Sequence, residues 1–223
     1  MDPIFHAVLK SETDVARVLR TAPHAFRIRA AEDLLVATIP HWLYVGDTPL
    51  HLAAAALQPA GALLLLEAGA DPNAKNRRGA TPLHYACDPR PSLAGTWDPP
   101  AQLVVLEILA RHGARLDEGD RGGATALHRA VRARSAGAVG QLLALGARTD
   151  CRLRARGSTP LHLAAQATGA SGTAGALDAQ LEIIRLLREA GADFGALDNA
   201  HQTPHDWAKN DRLARALRVD SPP

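Results

Sequence analysis

One tetrapeptide recurs along the chain at nearly regular intervals. Copies of Thr-Pro-Leu-His begin at Thr48, Thr81 and Thr159, a copy with Ala in place of Pro begins at Thr125, and a divergent copy begins at Thr203. Successive copies start 33, 44, 34 and 44 residues apart, and each of the first four is followed by a Leu-rich run that ends in Gly-Ala. Repetition of this kind predicts a chain of similar structural units that stack on their neighbours.

The chemistry of the tetrapeptide predicts the start of a helix. Thr is a favourable N-cap because its hydroxyl accepts a backbone N–H of the first turn, and Pro at the next position lacks only an N–H that would have had no partner. Leu is predicted to enter the core, and the Gly of each Gly-Ala to end the second helix of the unit. The four histidines are predicted to be buried and bonded to Thr or to the backbone: His51, His84, His128 and His162.

These motifs resemble the ankyrin repeat from about residue 3 to residue 217. The resemblance implies an all-α fold, a solenoid of helix–turn–helix pairs with β-hairpin fingers and about five to six repeats including caps. A single ankyrin-repeat domain is expected over residues 1–223. Its expected parts are an N-cap repeat at 3–30, an extended finger at 31–47, repeats at about 46–75, 76–118, 119–151 and 152–196, and a C-cap repeat at 197–217.

Two inserts account for the longer intervals. The distance from Thr to Gly-Ala is 21 residues in the first and third copies and 32 in the second and fourth, which places both inserts between the two helices of a repeat. The insert at 88–100 contains four prolines and is predicted to be stiff, whereas the insert at 169–175 is Gly-rich and is predicted to be a mobile linker.

The first finger is also longer than its counterparts. Residues 34–45 are rich in β-branched and aromatic side chains around a central Pro, a pattern that predicts a lengthened hairpin. Two interpretations remain open at this point. The hairpin covers the exposed flank of the first repeat, or it is a recognition arm that carries Trp42 and Tyr44.

Composition narrows the class of protein. Hydrophobic residues make up 47% of the chain but aromatic residues only 4%, which predicts a core of Leu and Ala. The net charge of +2 is too small to indicate a nucleic-acid binder. Cys87 and Cys151 form no disulfide or zinc pattern, and no secretory signal or long apolar run is visible, so a cytoplasmic protein is expected. The excess of Arg over Lys is typical of a GC-rich genome and suggests a bacterial source.

No catalytic pattern emerges from the sequence. The Gly-rich insert lacks the Lys-Ser/Thr of a phosphate-binding loop and follows a helix, so it is interpreted as a linker. His84 and Cys87 lie three residues apart on one helix, but they coincide with the tetrapeptide His and with a small core position, which favours packing over catalysis. The chain is therefore predicted not to be an enzyme, with no cofactor and no metal.

The remaining candidate for function is the surface. In ankyrin proteins the fingers and the exposed side of the first helix form a concave groove for partner proteins, so the resemblance implies a protein–protein interaction module. The contacts expected by position are Trp42, Tyr44, Asp47, Arg77, Arg78, Arg121, Arg132 and Arg156.

The arginines among these positions leave three interpretations open. They bind the carboxylates of a partner with an acidic surface, they bind a polyanion or nucleic acid, or they are only soluble surface. The small net charge favours a protein partner. A monomer without a membrane segment is expected.

Overall fold

The computed structural model describes residues 2–36, 41–88, 99–166 and 176–218. They form two compact units, Met1–Arg115 and Leu116–Pro223. The first unit contains helices α1 (Pro3–Lys10), α2 (Glu12–Thr21), α3 (Pro49–Ala55), α4 (Pro59–Glu67), α5 (Pro82–Ala86) and α6 (Pro99–Arg111), a 3₁₀ turn at Ala25–Arg27, and strands β1 (Leu34–Val36) and β2 (His41–Leu43). The second unit contains α7 (Ala126–Arg132), α8 (Ala136–Ala144), α9 (Pro160–Ala165), α10 (Ala176–Glu189), α11 (Asp211–Ala216) and a 3₁₀ turn at His205–Trp207.

Helices pack as consecutive pairs in both units. In the first unit α1 packs on α2, α3 on α4 and α5 on α6, while α3 also contacts α1 and α5, and α4 also contacts α2 and α6. In the second unit α7 packs on α8 and α9 on α10, with α7 against α9 and α8 against α10. This arrangement confirms the predicted ankyrin-type helix pairs. The number of repeats and the single domain over residues 1–223 stay predictions.

The core is built from small and branched apolar side chains, as the composition predicts. Each helix pair contributes Leu or Ile side chains that are almost completely buried, together with several fully buried Ala residues. Cys87 takes one of these small positions and is fully buried. Because interiors of this kind are close-packed, changes of volume at these positions are costly.

The fingers are tight turns, and the first of them forms the predicted β-hairpin. In the part of the chain that the structure describes, β1 and β2 are the only strands, paired antiparallel. Three other fingers are closed by a backbone bond and by a side chain. The N–H groups of Asn76, Asp120 and Asp198 donate to the carbonyl four residues further on over 2.9–3.1 Å. The Oδ1 atoms of Asn76, Asp120 and Asp198 each accept the backbone N–H groups two and four residues further on, over 2.8–3.0 Å. A side-chain oxygen that satisfies two N–H groups stabilises a tight turn without a ladder of strand bonds.

The finger before Thr159 closes in another way, because Arg154 stands where the other fingers have Asn or Asp. The N–H of Leu153 donates to the carbonyl of Ser158 over 3.0 Å. The guanidinium of Arg152 donates to the carbonyls of Gly157 and Leu197 over 2.8 and 2.6 Å. Arg152 thus holds the finger from outside the turn, which leaves the Arg154 side chain exposed.

The two inserts fall almost entirely outside the described residues, at 89–98 and 167–175, so their predicted stiffness and mobility stay predictions. The structure does show how the preceding helix ends. In uninterrupted repeats the carbonyls of Ala53 and Ala130 accept the backbone N–H of Gln58 and Ser135 over 3.0 and 3.1 Å. In interrupted repeats the corresponding carbonyls, of Ala86 and Ala164, accept the side-chain amides of Gln102 and Gln180 over 2.8 and 3.0 Å. A glutamine therefore replaces the backbone bond that the insert removes.

Substitution of Gln102 with Met should lower the free energy of unfolding by about 1–3 kcal/mol, since the buried carbonyl of Ala86 loses this donor while the side-chain volume is nearly kept. Urea unfolding monitored by circular dichroism measures the change. Gln141→Met on α8, at a half-buried position, is the matched control and should cost less than half as much. Equal losses at both positions would show that the amide of Gln102 has no role in ending α5.

Candidate partner-binding surface

The tetrapeptide histidines are structural, as predicted. In all four copies the Oγ1 atom of Thr lies 2.9 Å from Nδ1 of His, and the backbone N–H of the same Thr donates to Nδ1 over 3.1–3.2 Å. Because Nδ1 accepts, the proton of the neutral ring lies on Nε2. The Nε2–H groups of His51, His128 and His162 donate to carbonyls of the following finger over 3.1–3.4 Å.

Burial keeps these rings uncharged. All four are at most 1% exposed. Desolvation lowers the pKa of His128 to about 4 and lowers the pKa of His51 and His162. The rings of His51, His128 and His162 have both nitrogens engaged, and all four rings have almost no access to solvent, so they make no candidate site for catalysis or for a ligand.

The divergent fifth copy keeps the same chemistry with a different side chain. Asp206 occupies the place of His, and its Oδ2 accepts the N–H and the hydroxyl of Thr203 over 2.8 and 2.7 Å. Trp207 then packs edge-on against His162, with the ring centroids 5.4 Å apart. The C-terminal repeat is thereby joined to the core of the second unit.

The extended first finger exposes one apolar face. In the antiparallel register Leu35 lies opposite Trp42 and Val36 lies opposite His41. Val36 and Leu43 are buried, whereas Leu35 and Trp42 are 49% and 44% exposed. One face of the hairpin is therefore buried, and the other exposes a large aliphatic and a large aromatic side chain to solvent. That the hairpin is a recognition arm stays a prediction. We call Leu35 and Trp42 the hairpin pair.

The next predicted contacts are engaged within the first unit. The guanidinium of Arg78 lies over the ring of Tyr44, 4.0 Å from its centroid, in cation–π geometry. The guanidinium of Arg77 forms an ion pair with Asp33. Arg77 and Arg78 are exposed, yet the charge of Arg77 is compensated inside the chain. They form an ordered polar margin beside the hairpin pair.

Asp47 requires a correction, since its side chain is fully buried and cannot touch a partner. Its carboxylate accepts the N–H of Tyr44 over 2.6 Å, the amide of Asn76 over 2.8 Å and the hydroxyl of Tyr85 over 2.8 Å. His51 Nε2 lies 3.8 Å away. A carboxylate inside a low-dielectric core needs several donors of this kind, so Asp47 joins the first finger to the repeat that begins at about residue 76.

The second unit carries the other predicted arginines. Arg121, Arg132 and Arg156 are exposed, and the guanidinium of Arg156 lies 5.8 Å from the ring centroid of Trp207. Arg154 is a further exposed arginine on this surface that the prediction omitted. The density of arginine in residues 148–156 was the signal that could have indicated it.

Other site types find no support in the described residues. They contain no group of three or more His, Cys, Asp or Glu side chains placed to hold a metal ion. No helix of the described part of the chain has the length and apolar character needed to cross a membrane.

Family models identify the class of protein. A model described as ankyrin repeats in many copies matches residues 43–86, and a model described as ankyrin repeats in 3 copies matches residues 101–198. The helix pairs and the bonded Thr–His tetrapeptides agree with both matches. The chain belongs to the ankyrin-repeat family.

Among curated proteins the chain is similar to the B-cell lymphoma 3 protein homolog of Mus musculus, with 31% identity over 194 residues, covering 77% of this chain and 42% of the relative. It is also similar to the B-cell lymphoma 3 protein of Homo sapiens, with 31% identity over 195 residues, 77% of this chain and 41% of the relative. NF-kappa-B inhibitor alpha of Sus scrofa is 57% identical over 42 residues, 19% of this chain and 13% of the relative. The chain thus spans about two fifths of the length of the two B-cell lymphoma 3 relatives. A bacterial source stays a prediction.

Proposed function

We propose that this chain is a non-catalytic protein–protein interaction module whose partner docks on the hairpin pair. The observation that carries the proposal is the exposure of two large apolar side chains directly opposite each other on a finger that is longer than the others. Opposed side chains of an antiparallel pair lie about 5 Å apart at Cβ, so Leu35 and Trp42 form one continuous apolar contact.

The surroundings of the hairpin pair suit a protein partner. Buried aromatic and arginine side chains dominate the free energy of protein interfaces, and a polar margin commonly surrounds them. Here the margin is provided by the stacked Arg78 and Tyr44 and by the Arg77–Asp33 ion pair. The relative from Sus scrofa is named as an inhibitor of NF-kappa-B, which supports protein binding as the task of such repeats.

The proposal also covers the oligomeric state of the protein, its compartment and the charge of its partner. We propose a monomer, because exposed large apolar side chains in the described residues are limited to Leu35, Trp42, Val104 and Leu197. A reducing compartment such as the cytoplasm fits the two thiols. Cys87 is fully buried, and burial raises the pKa of Cys151, so neither is a reactive thiolate, and no disulfide joins them. We further propose that the partner presents acidic groups beside its apolar anchor.

Trp42→Ala should weaken binding of the partner about tenfold or more, mainly through faster dissociation, because the variant removes the larger half of the apolar contact. A photo-crosslinking residue at position 35, in an extract of the source cells, identifies the partner, and calorimetry with the purified proteins then measures the affinity. The melting temperature should stay within a few degrees of wild type, since the Trp42 side chain is not part of the core.

Two controls make this test specific. A crosslinker at Arg20, exposed on α2, should not capture the same protein. Val104→Ala removes an apolar side chain of matching exposure from α6 and should leave the affinity unchanged. A partner that binds Trp42→Ala as tightly as wild type, or that is captured equally from both positions, would rule out the hairpin pair as the contact.

A further inference from the structure

Positive charge is concentrated in one segment of the second unit. Residues 121–156 contain eight arginines and one acidic residue, Asp150, which gives a formal charge of +7 in a chain whose total is +2. The first unit is balanced, with 11 Lys and Arg against 11 Asp and Glu in residues 1–115. A charge excess of this size within a short segment attracts anions unless the fold compensates it.

Four of the eight arginines are committed to holding the fold together. Arg129 forms an ion pair with Asp120 over 2.9 Å, and Arg148 forms one with Asp150 over 2.8 Å. Two others bind backbone carbonyls: Arg134 binds those of Leu163 and Gln166, and Arg152 those of Gly157 and Leu197. These four side chains therefore have internal roles.

Of the other four, Arg132 lies on α7, and the remaining three are exposed on two adjacent fingers. Among the described residues the guanidinium groups of Arg121 and Arg154 have no hydrogen-bond or ion-pair partner, and that of Arg156 lies over an aromatic ring. The backbone joins these fingers, because the N–H of Arg154 donates to the carbonyl of Gly122 over 2.8 Å. We call Arg121, Arg154 and Arg156 the arginine strip.

We propose that the arginine strip binds an acidic stretch of the partner's polypeptide, a run of Asp or Glu that supplies three or more carboxylates. The inference rests on the proposed protein-binding function and assigns the recognition of charge to the second unit. A guanidinium pairs with a carboxylate through two parallel hydrogen bonds. Since no internal anion has to be displaced from Arg121 and Arg154, their charge is fully available to steer the partner.

The same unit is poorly suited to single-stranded nucleic acid, which binds by stacking its bases on aromatic rings. The second unit contains two aromatic residues, Phe194 and Trp207. Both rings are covered by a guanidinium, with Arg188 at 4.0 Å from the centroid of Phe194 and Arg156 at 5.8 Å from that of Trp207. Carboxylates need no such platform.

Fluorescence anisotropy of a labelled peptide of alternating Glu and Gly tests the inference with the full chain. Wild type should bind this peptide at low salt, and the variant with Arg121→Gln, Arg154→Gln and Arg156→Gln should bind it at least about tenfold more weakly. Lys10→Gln, Arg20→Gln and Lys209→Gln together remove the same charge from other exposed positions and should change binding less than about twofold. A single-stranded oligothymidylate of equal charge should bind more weakly than the peptide.

The outcomes separate the inference from the function on which it rests. Absence of peptide binding to wild type, equal losses in the two triple variants, or tighter binding of the oligothymidylate through the strip would each overturn the inference. Each would leave intact the capture of a partner that depends on Trp42. The converse result is a partner that binds Trp42→Ala as tightly as wild type while the peptide still binds the wild-type protein. That result would rule out the hairpin pair as the contact and would leave the arginine strip intact.

Discussion

Acidification from neutral pH to about pH 4 is expected to remove about 3 kcal/mol from the free energy of unfolding through His128 alone. Its pKa is lowered from the ordinary 6.5 to about 4 by burial. Between these values the unfolded chain binds a proton that the folded chain does not bind, so stability falls as the pH falls. Below about pH 4 His128 is protonated in both the folded and the unfolded state, so further acidification removes no more stability through this residue. The pKa values of His51 and His162 are lowered as well, so these residues add to the loss of stability in acid.

The geometry gives the physical reason for this cost. A protonated Nδ1 cannot accept the N–H of Thr125, which donates to it over 3.2 Å in the folded state. Charging His128 therefore breaks the start of α7 as well as burying a charge. The same argument applies to the other tetrapeptides whose rings are bonded in this way.

Urea unfolding at several pH values, followed by circular dichroism, measures the effect. His128→Gln should be less stable at neutral pH but should lose stability less steeply on acidification, by up to about 1.4 kcal/mol per pH unit. His6→Gln, at an exposed position of α1, should keep the steep dependence of wild type. Parallel curves for wild type and His128→Gln between pH about 6 and about 4 would refute the assignment.

The contribution of a carboxylate to the free energy of unfolding is lost over a lower pH range than that of the histidines. Burial raises the pKa of Asp120, but the hydrogen bonds that it accepts from Arg129 and from the finger backbone outweigh burial and lower it below 3.8. Its folded pKa is depressed, so its contribution is present above the unfolded value and is lost as the pH falls further. The histidine and carboxylate effects can therefore be resolved in one titration.

Gly123→Ala is expected to cost about 3 kcal/mol, the second large effect. Gly123 has φ +80°. A Cβ there would lie 2.8 Å from the carbonyl oxygen of Arg152 and 3.0 Å from the backbone N of Arg154. Because both atoms belong to the backbone of the next finger, the crowding cannot be relieved by a side-chain rotation. Thermal and urea unfolding measure the loss.

Two variants divide this cost into its parts. Gly146→Ala, at φ +96° with nothing within 4 Å of the added Cβ, should show only the conformational cost of about 1–2 kcal/mol. His201 stands at the position of Gly123 in the last finger, with φ +57° and an exposed side chain, so His201→Gly should stabilise the protein by about 1 kcal/mol. Equal losses for Gly123→Ala and Gly146→Ala would contradict the crowding, and destabilisation by His201→Gly would contradict the strain.

Local chemistry made much of the fold predictable. The role of each tetrapeptide depends on residues three positions apart, such as Thr81 and His84, and on one turn of helix, which the sequence displays directly. The hairpin was predictable for the same reason, since its β-branched and aromatic residues form one continuous segment. The family matches and the helix pairs confirm the repeat fold, and the pairing of β1 with β2 confirms the hairpin.

Partners that are distant in sequence were not predictable. Asp47 is buried because the Tyr85 hydroxyl, 38 residues later, points at it. Arg77 is compensated by Asp33, 44 residues earlier. Composition shows that arginine is abundant on the fingers, but only the fold reveals which guanidinium groups already have partners. The structure therefore changed the set of predicted contact residues more than it changed the predicted fold.

The glutamines that bond the ends of the interrupted helices allow the inserts and the stacked helices to evolve separately. Because Gln102 and Gln180 bond the carbonyls of Ala86 and Ala164 themselves, the chain between the paired helices has no part in that bond. The entropic cost of closing this connection grows only slowly with its length. Sequence between these fixed points can thus lengthen, shorten or diverge while the stacked helices stay under their own selection. Such repeats offer a place where new binding segments can arise at little cost to folding.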